Sequence, residues 1–541
     1  GGFYRHWQAI FSDAGSSQGT WSFNGSMTQN PASPAGTGEP FADWMLGLPR
    51  SVTRGYRGDW AGGIGDFWHL FAQEDLKVSK NLTLNLGLRY EFNPFLSGYR
   101  NQVGAFDGTL DKPIIVGGEG DTPDLGAQAS APDTYAQFGY LIQTTSQAGL
   151  PLQVTYHDKK QFAPRLGLAW RPFGEATVIR SGYGIFYETE IPGNRVNRYM
   201  VPFRCDETVF NDGTRTLADY FLGVPVGGAG VTPTLGPTYP HMRWGYDQHW
   251  NFGVQQRLGG STALEVDYVG TKGSFLLGQN PTNIPPPGPG SIQSRRPFPL
   301  FGSITYMSQD VSSTYHSLQV KFERRFSAGF WHLVSYTFSK SLTHQATAAA
   351  GGEGAWERAL TDFDIPHNLA FSAGYELPIG RGKRFLSNAN PFTEGFLGGW
   401  QFQGILVARS GRPFTPSISG DIANTGVGQR PDRIGSGILA NPTVENWFDK
   451  SAFVVPAQYT YGNSGGYILR GGRYFALDFS IFKEFNVTDR GRLQFRAEAF
   501  NLTNTPSFNP PATAINTASG GRVTSTLGAP RQLQFALKFT F

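Results

Sequence analysis

The sequence predicts an all-β fold: a transmembrane, antiparallel, up-and-down β-barrel. Three observations lead there. The first is strict alternation in the last eleven residues, where Leu533, Phe535, Leu537, Phe539 and Phe541 fall on one face and Gln532, Gln534, Ala536, Lys538 and Thr540 on the other. A period of two is a strand with one apolar and one polar side. A strand in hydrocarbon needs that apolar side and a paired neighbour, because unpaired backbone groups are costly there. The second is a regular alternation of short and long connections along the chain. The third is composition: aromatics reach 14% and charged residues only 16%, yet the mean hydropathy is −0.30. No apolar run of about 18 residues exists to form a membrane helix. Low average hydropathy with many alternating strands fits a barrel in which every second residue meets lipid.

The elements follow in order. Residues 3–12 read as an opening strand, 18–27 as a short strand counted with the loop, and Phe41–Gly47 as a helical turn. Residues 66–78 form the next strand. The strand at 81–92 carries the clearest pattern, with Leu82, Leu84, Leu86, Leu88, Tyr90 and Phe92 alternating with Thr83, Asn85, Gly87, Arg89 and Glu91. Twelve residues rise roughly 40 Å, and a tilt near 45° reduces that to about 28 Å, the height of an outer-membrane apolar band. Further strands are predicted at 163–171, 176–189, 248–258, 262–271, 314–326, 330–340, 366–377, 399–409, 474–485 and 491–501, before the terminal strand. Short turns such as Pro172–Glu175, Leu258–Ser261 and Ser327–Gly329 alternate with long loops, among them the Pro-rich stretch Ile284–Gly290. Tight turns at one end and long loops at the other are the plan of an up-and-down barrel. The count is about 14 strands, and no propeller-like repeat of about 40–50 residues is present.

Charges sort by face. Arg89 and Glu91 oppose the Leu82–Leu88 series; Glu265 and Asp267 oppose Leu264, Val266 and Tyr268; Lys321, Glu323 and Arg325 oppose Leu318, Val320 and Phe322; Arg496 and Glu498 oppose Leu493 and Phe495. A cation facing lipid at mid-bilayer costs about 2–4 kcal/mol, so these charged residues are the candidate lumen-facing set. Trp68, Tyr90, Trp170, Tyr187, Trp250, Tyr268, Trp331 and Trp400 sit near predicted strand ends, where interfacial aromatics concentrate.

Other chemistry is sparse. The net charge is +4 with interspersed signs, so no basic stripe marks a nucleic-acid partner. Cys205 is the single cysteine, which excludes an intrachain disulfide and a cysteine-based metal site. Nine histidines are scattered; His241, Asp247 and His249 form the best cluster, at one strand entrance, where polar residues at a loop base are the simpler reading. No phosphate-cradling Gly loop with its Lys, and no Gly-x-Ser-x-Gly elbow, is present. The sequence therefore indicates neither an enzyme nor a cofactor. Gly1 is preceded by no signal peptide, so an exported barrel with this sequence is expected to be the C-terminal part of a longer chain.

Particular stretches resemble a known family. The terminal residues Phe535, Leu537, Phe539 and Phe541 resemble the C-terminal assembly signal of bacterial outer-membrane barrels. Asp362-Phe-Asp-Ile-Pro-His367 and its continuation to Phe385, Gly399-Trp-Gln-Phe-Gln-Gly-Ile405, and Ser410-Gly-Arg-Pro-Phe-Thr415 resemble hallmark stretches of the Oar-like TonB-dependent outer-membrane receptors. Gln73–Val78 with Asn81–Glu91, and Phe500-Asn-Leu-Thr-Asn504, are similar to further patterns of that group. The resemblance implies a barrel of about 22 strands, filled by an N-terminal plug and opened by the TonB system. This chain would supply residues 1–541 of its C-terminal portion, without the plug and the first strands. The implied work is uptake of a large or scarce solute across the outer membrane of a Gram-negative bacterium. Expected partners are outer-membrane lipid, the barrel-assembly machinery, TonB through the plug, and an unknown transported ligand. A passive porin-like channel, or a surface adhesion or protein-export barrel, are the alternatives.

Overall fold

The computed structural model describes the chain except residues 12–18, 26, 29–37, 58–60, 99–102, 121, 124–137, 189–203, 212, 214, 219–231 and 489–490. The outer limits expected at residues 12 and 189, and part of the last short turn, lie outside the described residues.

One sheet of sixteen strands dominates, and fourteen of them lie in a single path in strict chain order. These are β1 (Gly2–Phe11), β2 (Ala61–Ser79), β3 (Leu82–Phe92), β4 (Phe162–Trp170), β5 (Thr177–Tyr187), β6 (Tyr246–Arg257) and β7 (Thr262–Thr282). The path continues with β8 (Ile304–Ser327), β9 (Phe330–Ala346), β10 (His367–Glu376), β11 (Trp400–Arg409), β12 (Tyr474–Asn486), β13 (Arg492–Phe500) and β14 (Gln532–Thr540). Two short strands, Ser97–Gly98 and Trp356–Leu360, pair on its flank. Every pairing along the path is antiparallel. Among the described residues the path does not close, and β1 and β14 are its two ends.

The meander follows from the turns. Between β8 and β9 only Ala328 and Gly329 intervene, with φ of 53° and 80°. Two consecutive left-handed residues make a type I′ turn, whose twist matches that of the flanking strands. A two-residue link also joins β2 to β3. Short links join β4 to β5, β6 to β7 and β12 to β13, while β10 and β11 are joined by Leu377–Gly399, which holds a small helix. All six connections lie at the same end of the sheet, and the long loops leave from the other.

Several strands run further into the loop end than the sequence pattern indicates. β7 extends past Thr271 to Thr282, β8 begins at Ile304 rather than near 314, and β2 begins at Ala61. The β7–β8 register shifts at Gly273, Leu276 and Leu277, and a bulge there breaks the two-residue period that marks a strand. The start of β2, Ala61-Gly-Gly-Ile-Gly65, has no side-chain pattern but pairs along β1. These lengths place Tyr268 well inside β7.

Most of the buried hydrophobic core lies in the loops, with a few buried apolar residues such as Phe67 and Phe482 in the sheet. Phe106, Ile114, Val116, Phe138, Ile142, Leu235, Phe301 and Ile304 form one cluster drawn from the β3–β4, β5–β6 and β7–β8 connections and the first residue of β8. Phe414, Phe448, Ala452, Phe453 and Leu469 form another within the β11–β12 connection. Along the wall the large apolar residues are exposed instead, among them Leu86, Leu88, Leu166, Phe252, Leu318 and Phe338. An exposed apolar surface of this extent marks a surface that meets something other than water.

Candidate functional site

Cross-strand partners share a face, so the register carries one face across the whole wall. From β3, Leu84 meets Leu168, Leu168 meets Ser181, Ser181 meets Phe252, Phe252 meets Tyr268, Tyr268 meets Leu318 and Leu318 meets Phe338. Nearer the chain end, Phe402 meets Ile481, Ile481 meets Ala497, and Ala497 meets Phe535. This is the apolar face. Its charged exceptions include Glu74, Arg324 and Lys483 toward the short-turn ends, and Asp66, Lys272 and Lys340 toward the loop end.

The other face carries the charges. Arg89 lies opposite Ala163, Arg180 opposite Gly253, Gly253 opposite Asp267, Glu265 opposite Lys321, and Glu498 opposite Ser480 and Gln534. Arg89, Glu91, Glu265, Asp267, Lys321, Glu323, Arg325, Arg496 and Glu498 all belong to this face. Oppositely charged residues two apart on one strand form ion pairs: Arg89 Nε with Glu91 Oε1 at 2.7 Å, Lys321 Nζ with Glu323 Oε2 at 2.8 Å, and Arg496 Nη1 with Glu498 Oε1 at 3.6 Å. Arg165, Arg180 and Asp478 join the same face. The sequence reading did not single them out, although parity along their strands identifies them. Arg165 stacks over the ring of Phe186, and Asp478 accepts the Asn501 amide at 2.8 Å.

The loop end of this face holds a buried polar network. An Arg89 Nη2–H donates to His69 Nδ1 at 2.5 Å, and His69 Nε2 lies 3.0 Å from Asn93 Oδ1. A guanidinium only donates, so Nδ1 is the acceptor and Nε2 carries the proton toward Asn93. Asn93 Nδ2 in turn donates to Gln161 Oε1 at 2.7 Å. His69, Glu91, Asn93 and Gln161 are all buried. Beside them the Phe95 amide donates to His157 Nδ1 at 3.1 Å. Burial pushes the His157 imidazole below its ordinary pKa, and Lys159 acts in the same direction.

Above the wall, ion pairs bind separate loops together. The Arg430 guanidinium grips Glu357 with two bonds, of 2.9 and 2.8 Å, and the Gly466 amide adds a third at 2.6 Å. Burial pushes the Glu357 carboxyl up, but Arg430 and Gly466 outweigh it and hold the carboxyl below its ordinary pKa.

The sequence profile of the family described as "Outer membrane beta barrel domain" matches residues 1–534. The chain belongs to that family. It is therefore an outer-membrane protein that crosses with strands. No helix among the described residues is long and apolar enough to cross a membrane. No curated protein matches the sequence. Similar solved structures include the outer membrane transporter YddB from Escherichia coli (11% identity, TM-score 0.44, 91% of this chain and 50% of that one). The ferripyoverdine receptor of Pseudomonas aeruginosa is also similar (9% identity, TM-score 0.41, 91% and 40%), as is the ferric-catecholate import receptor Fiu from E. coli K12 (13% identity, TM-score 0.41, 89% and 45%). This chain spans half or less of the length of each.

Within this outer-membrane domain the resemblance-bearing motifs meet at the loop base. Asp364 is buried; it accepts the Ser341 amide at 2.6 Å and pairs with the Arg470 guanidinium. Arg470 also donates to the backbone carbonyls of Asp364 at 3.0 Å and Gly411 at 3.2 Å. The Ser410 amide reaches the His367 carbonyl at 2.9 Å, and Pro413–Phe414 pairs with Leu469–Arg470. Asn501 and Asn504, with φ of 50° and 51°, turn the chain after β13. Asn504 Oδ1 then accepts the Arg531 amide at 3.1 Å, next to the start of β14. His367 Nδ1 lies 2.7 Å from the Tyr336 hydroxyl.

The histidine cluster of the sequence does not assemble. His241 stacks on Tyr156, and His249 packs edge-on against Phe186 beside the Thr271 hydroxyl. Among the described residues no three His, Cys, Asp or Glu side chains converge as a metal site. Trp331 lies opposite Gly374 on the charged face, away from the apolar surface expected of an interfacial aromatic.

Proposed function

We propose that this domain is the C-terminal part of a receptor barrel of the Oar-like, TonB-dependent kind, taking up a large or scarce solute. The charged face lines the interior, the apolar face meets lipid, and the loop end faces outside the cell. One observation carries this reading: a single apolar face and a single charged face persist through fourteen strands, with the elaborate loops confined to one end. Charges held in pairs along the wall offer polar contacts to a passing solute in a polar interior. The loops gather side chains from distant parts of the chain, where ligand capture belongs. Binding and energised gating, and not bond chemistry, are then the mechanism, with the plug and TonB contact supplied by preceding residues in a barrel of about 22 strands. A lipid-facing wall and insertion by the barrel-assembly machinery follow from the same reading.

The test is conductance of the whole protein in planar bilayers, with potassium chloride as the permeating salt. A plugged receptor is expected to stay closed. A steady open conductance would overturn gating and make a passive channel the better account. The exposed terminal face is part of the proposal: Phe535, Leu537, Phe539 and Phe541 are 71, 70, 53 and 95% exposed, available for recognition during assembly. Deleting Phe541 is expected to lower the amount of barrel inserted in the outer membrane, scored as heat-modifiable protein on a gel. Normal insertion would remove Phe541 from that role.

A further inference from the structure

The connection from β10 to β11 does more than turn the chain. It holds a short helix, α2 (Pro391–Leu397); α1 (Pro40–Met45) lies near the start of the chain. A helix this short is unstable alone, and both ends are tied down. Asn390 Oδ1 accepts the Thr393 amide at 2.8 Å at one end, where Pro391 occupies the first turn. At the other end the carbonyls of Glu394 and Gly395 accept from Lys483 Nζ at 2.8 and 2.7 Å. The last carbonyls of a helix lack intrahelical partners and carry partial negative charge, so an ammonium group is well seated there.

Lys483 fixes where the helix lies. It belongs to the apolar face, opposite Trp400 and Phe495, and is only 3% exposed. Trp400, on that same face, donates its indole N–H to the Phe396 carbonyl at 2.8 Å. The helix is therefore folded against the apolar side of the wall, at its short-turn end, and it covers the one lysine there that would otherwise face hydrocarbon.

Its other side is not spent on the protein. Phe392 and Phe396, one helical turn apart with ring centroids at 4.9 Å, are 74 and 65% exposed. Leu397, Phe385 and Leu386 are exposed too. Residues 377–399 carry three basic side chains and one acidic. Lys383 pairs with Glu376, on the charged face. Among the described residues, Arg381 and Arg384 have no carboxylate partner, and Arg384 lies over the Phe385 ring.

We propose that α2 and its flanking turn form an interfacial foot that binds anionic phospholipid in the leaflet at the short-turn end. The occupant follows from two features: apolar side chains continuous with the apolar face, and beside them two guanidinium groups without a carboxylate partner, of which Arg381 bonds the Ala389 carbonyl at 2.9 Å. A short amphipathic helix with aromatic and basic residues lies at the boundary of acyl chains and headgroups. The foot rests on the membrane orientation proposed above, and the test separates the two.

The whole protein carrying Cys205→Ser and Phe396→Cys is labelled on the new thiol with an environment-sensitive dye. It is placed in vesicles of phosphatidylglycerol and phosphatidylcholine, with nitroxide-bearing lipid or aqueous iodide as quencher. The dye at position 396 is expected to be quenched by the lipid nitroxide and protected from iodide. A companion label at Leu86→Cys, in the middle of the apolar face, reports the orientation itself. If position 86 meets lipid while position 396 meets iodide, the foot is overturned and the orientation stands. If both meet only iodide, the orientation fails and the foot with it. Arg381→Gln and Arg384→Gln, in the same background, are expected to weaken the preference for phosphatidylglycerol by about fivefold for each arginine. An unchanged preference would overturn the headgroup contact.

Discussion

The wall and the loops satisfy the same requirement in opposite ways. Each must pair its backbone polar groups. In the wall every strand pairs with its chain neighbour, so order arises locally and the side chains are free to face two different surroundings. In the loops the partners are far apart: Arg430 and Glu357 are separated by 73 residues, and Arg470 and Asp364 by 106. Order there comes from buried clusters and ion pairs, as in a water-soluble core. The apolar residues of the wall are exposed, whereas those of the loop clusters are buried. One chain thus uses hydrophobicity twice, outward at one level and inward at the next.

The largest expected effect breaks the loop side of this contrast. Arg430→Met removes a guanidinium held by Glu357 and by the Ser464 carbonyl, and leaves the carboxylate half-buried without its cation. Removing one partner of a buried pair costs about 3–5 kcal/mol. The loss is expected to be confined to the β9–β10 and β11–β12 loops, seen as faster hydrogen exchange and proteolysis at 410–473, while the strands keep their protection. Equal loss of protection in β8 and β9 would show that wall and loops are one cooperative unit.

The wall side is tested by a matched pair. Leu84→Arg places a cation on the apolar face and Thr83→Arg places one on the charged face, one residue apart on β3. The first is expected to cost about 2–4 kcal/mol of membrane stability, and the second much less, measured by urea unfolding in vesicles. Equal costs would mean that the faces are not exposed to different media. A smaller effect is expected at the contact of Trp250 and Gly270, where a Cβ would collide with the indole. Gly270→Ala displaces that ring from the apolar face without breaking any pairing, and a loss of about 1 kcal/mol is expected.

The same contrast decides what could be read from the sequence. The period of two in Leu82–Phe92 or Leu533–Phe541 states both that a strand exists and which side is apolar, so the order of the wall and its charged face were legible. Arg165, Arg180 and Asp478 were legible by the same parity. The extensions of β7 and β8 were not, because a bulge near Gly273 resets the parity and the strand ends in Gln279-Asn-Pro-Thr282. Nor was the loop framework: nothing near Arg430 in sequence points to Glu357. The Asp362–His367 and Ser410–Thr415 stretches stood out as motifs, but their joint role as anchors for Arg470 emerges only when three segments meet. His241, Asp247 and His249 show the converse, since proximity in sequence did not bring their side chains together.

Protonation offers the gentlest way to separate the two levels. Glu357 lies on the short flanking strand at the loop end, outside the fourteen-strand path, and its carboxyl is held below the ordinary value. A carboxyl with a lowered folded-state pKa adds stability above its unfolded pKa, and that contribution is lost as pH falls through the folded value. Loop protection is therefore expected to be flat from neutral pH down to the ordinary carboxylate range and to fall below it. The step should be smaller than in Arg430→Met, because a protonated Glu357 can still hydrogen-bond to Gly466. In Glu357→Gln the acid-dependent step attributable to this carboxyl should vanish, measured as hydrogen exchange of residues 460–470 against pH. If the step persists unchanged in that variant, another carboxylate ties the loops, and Asp364 with Arg470 becomes the joint to test.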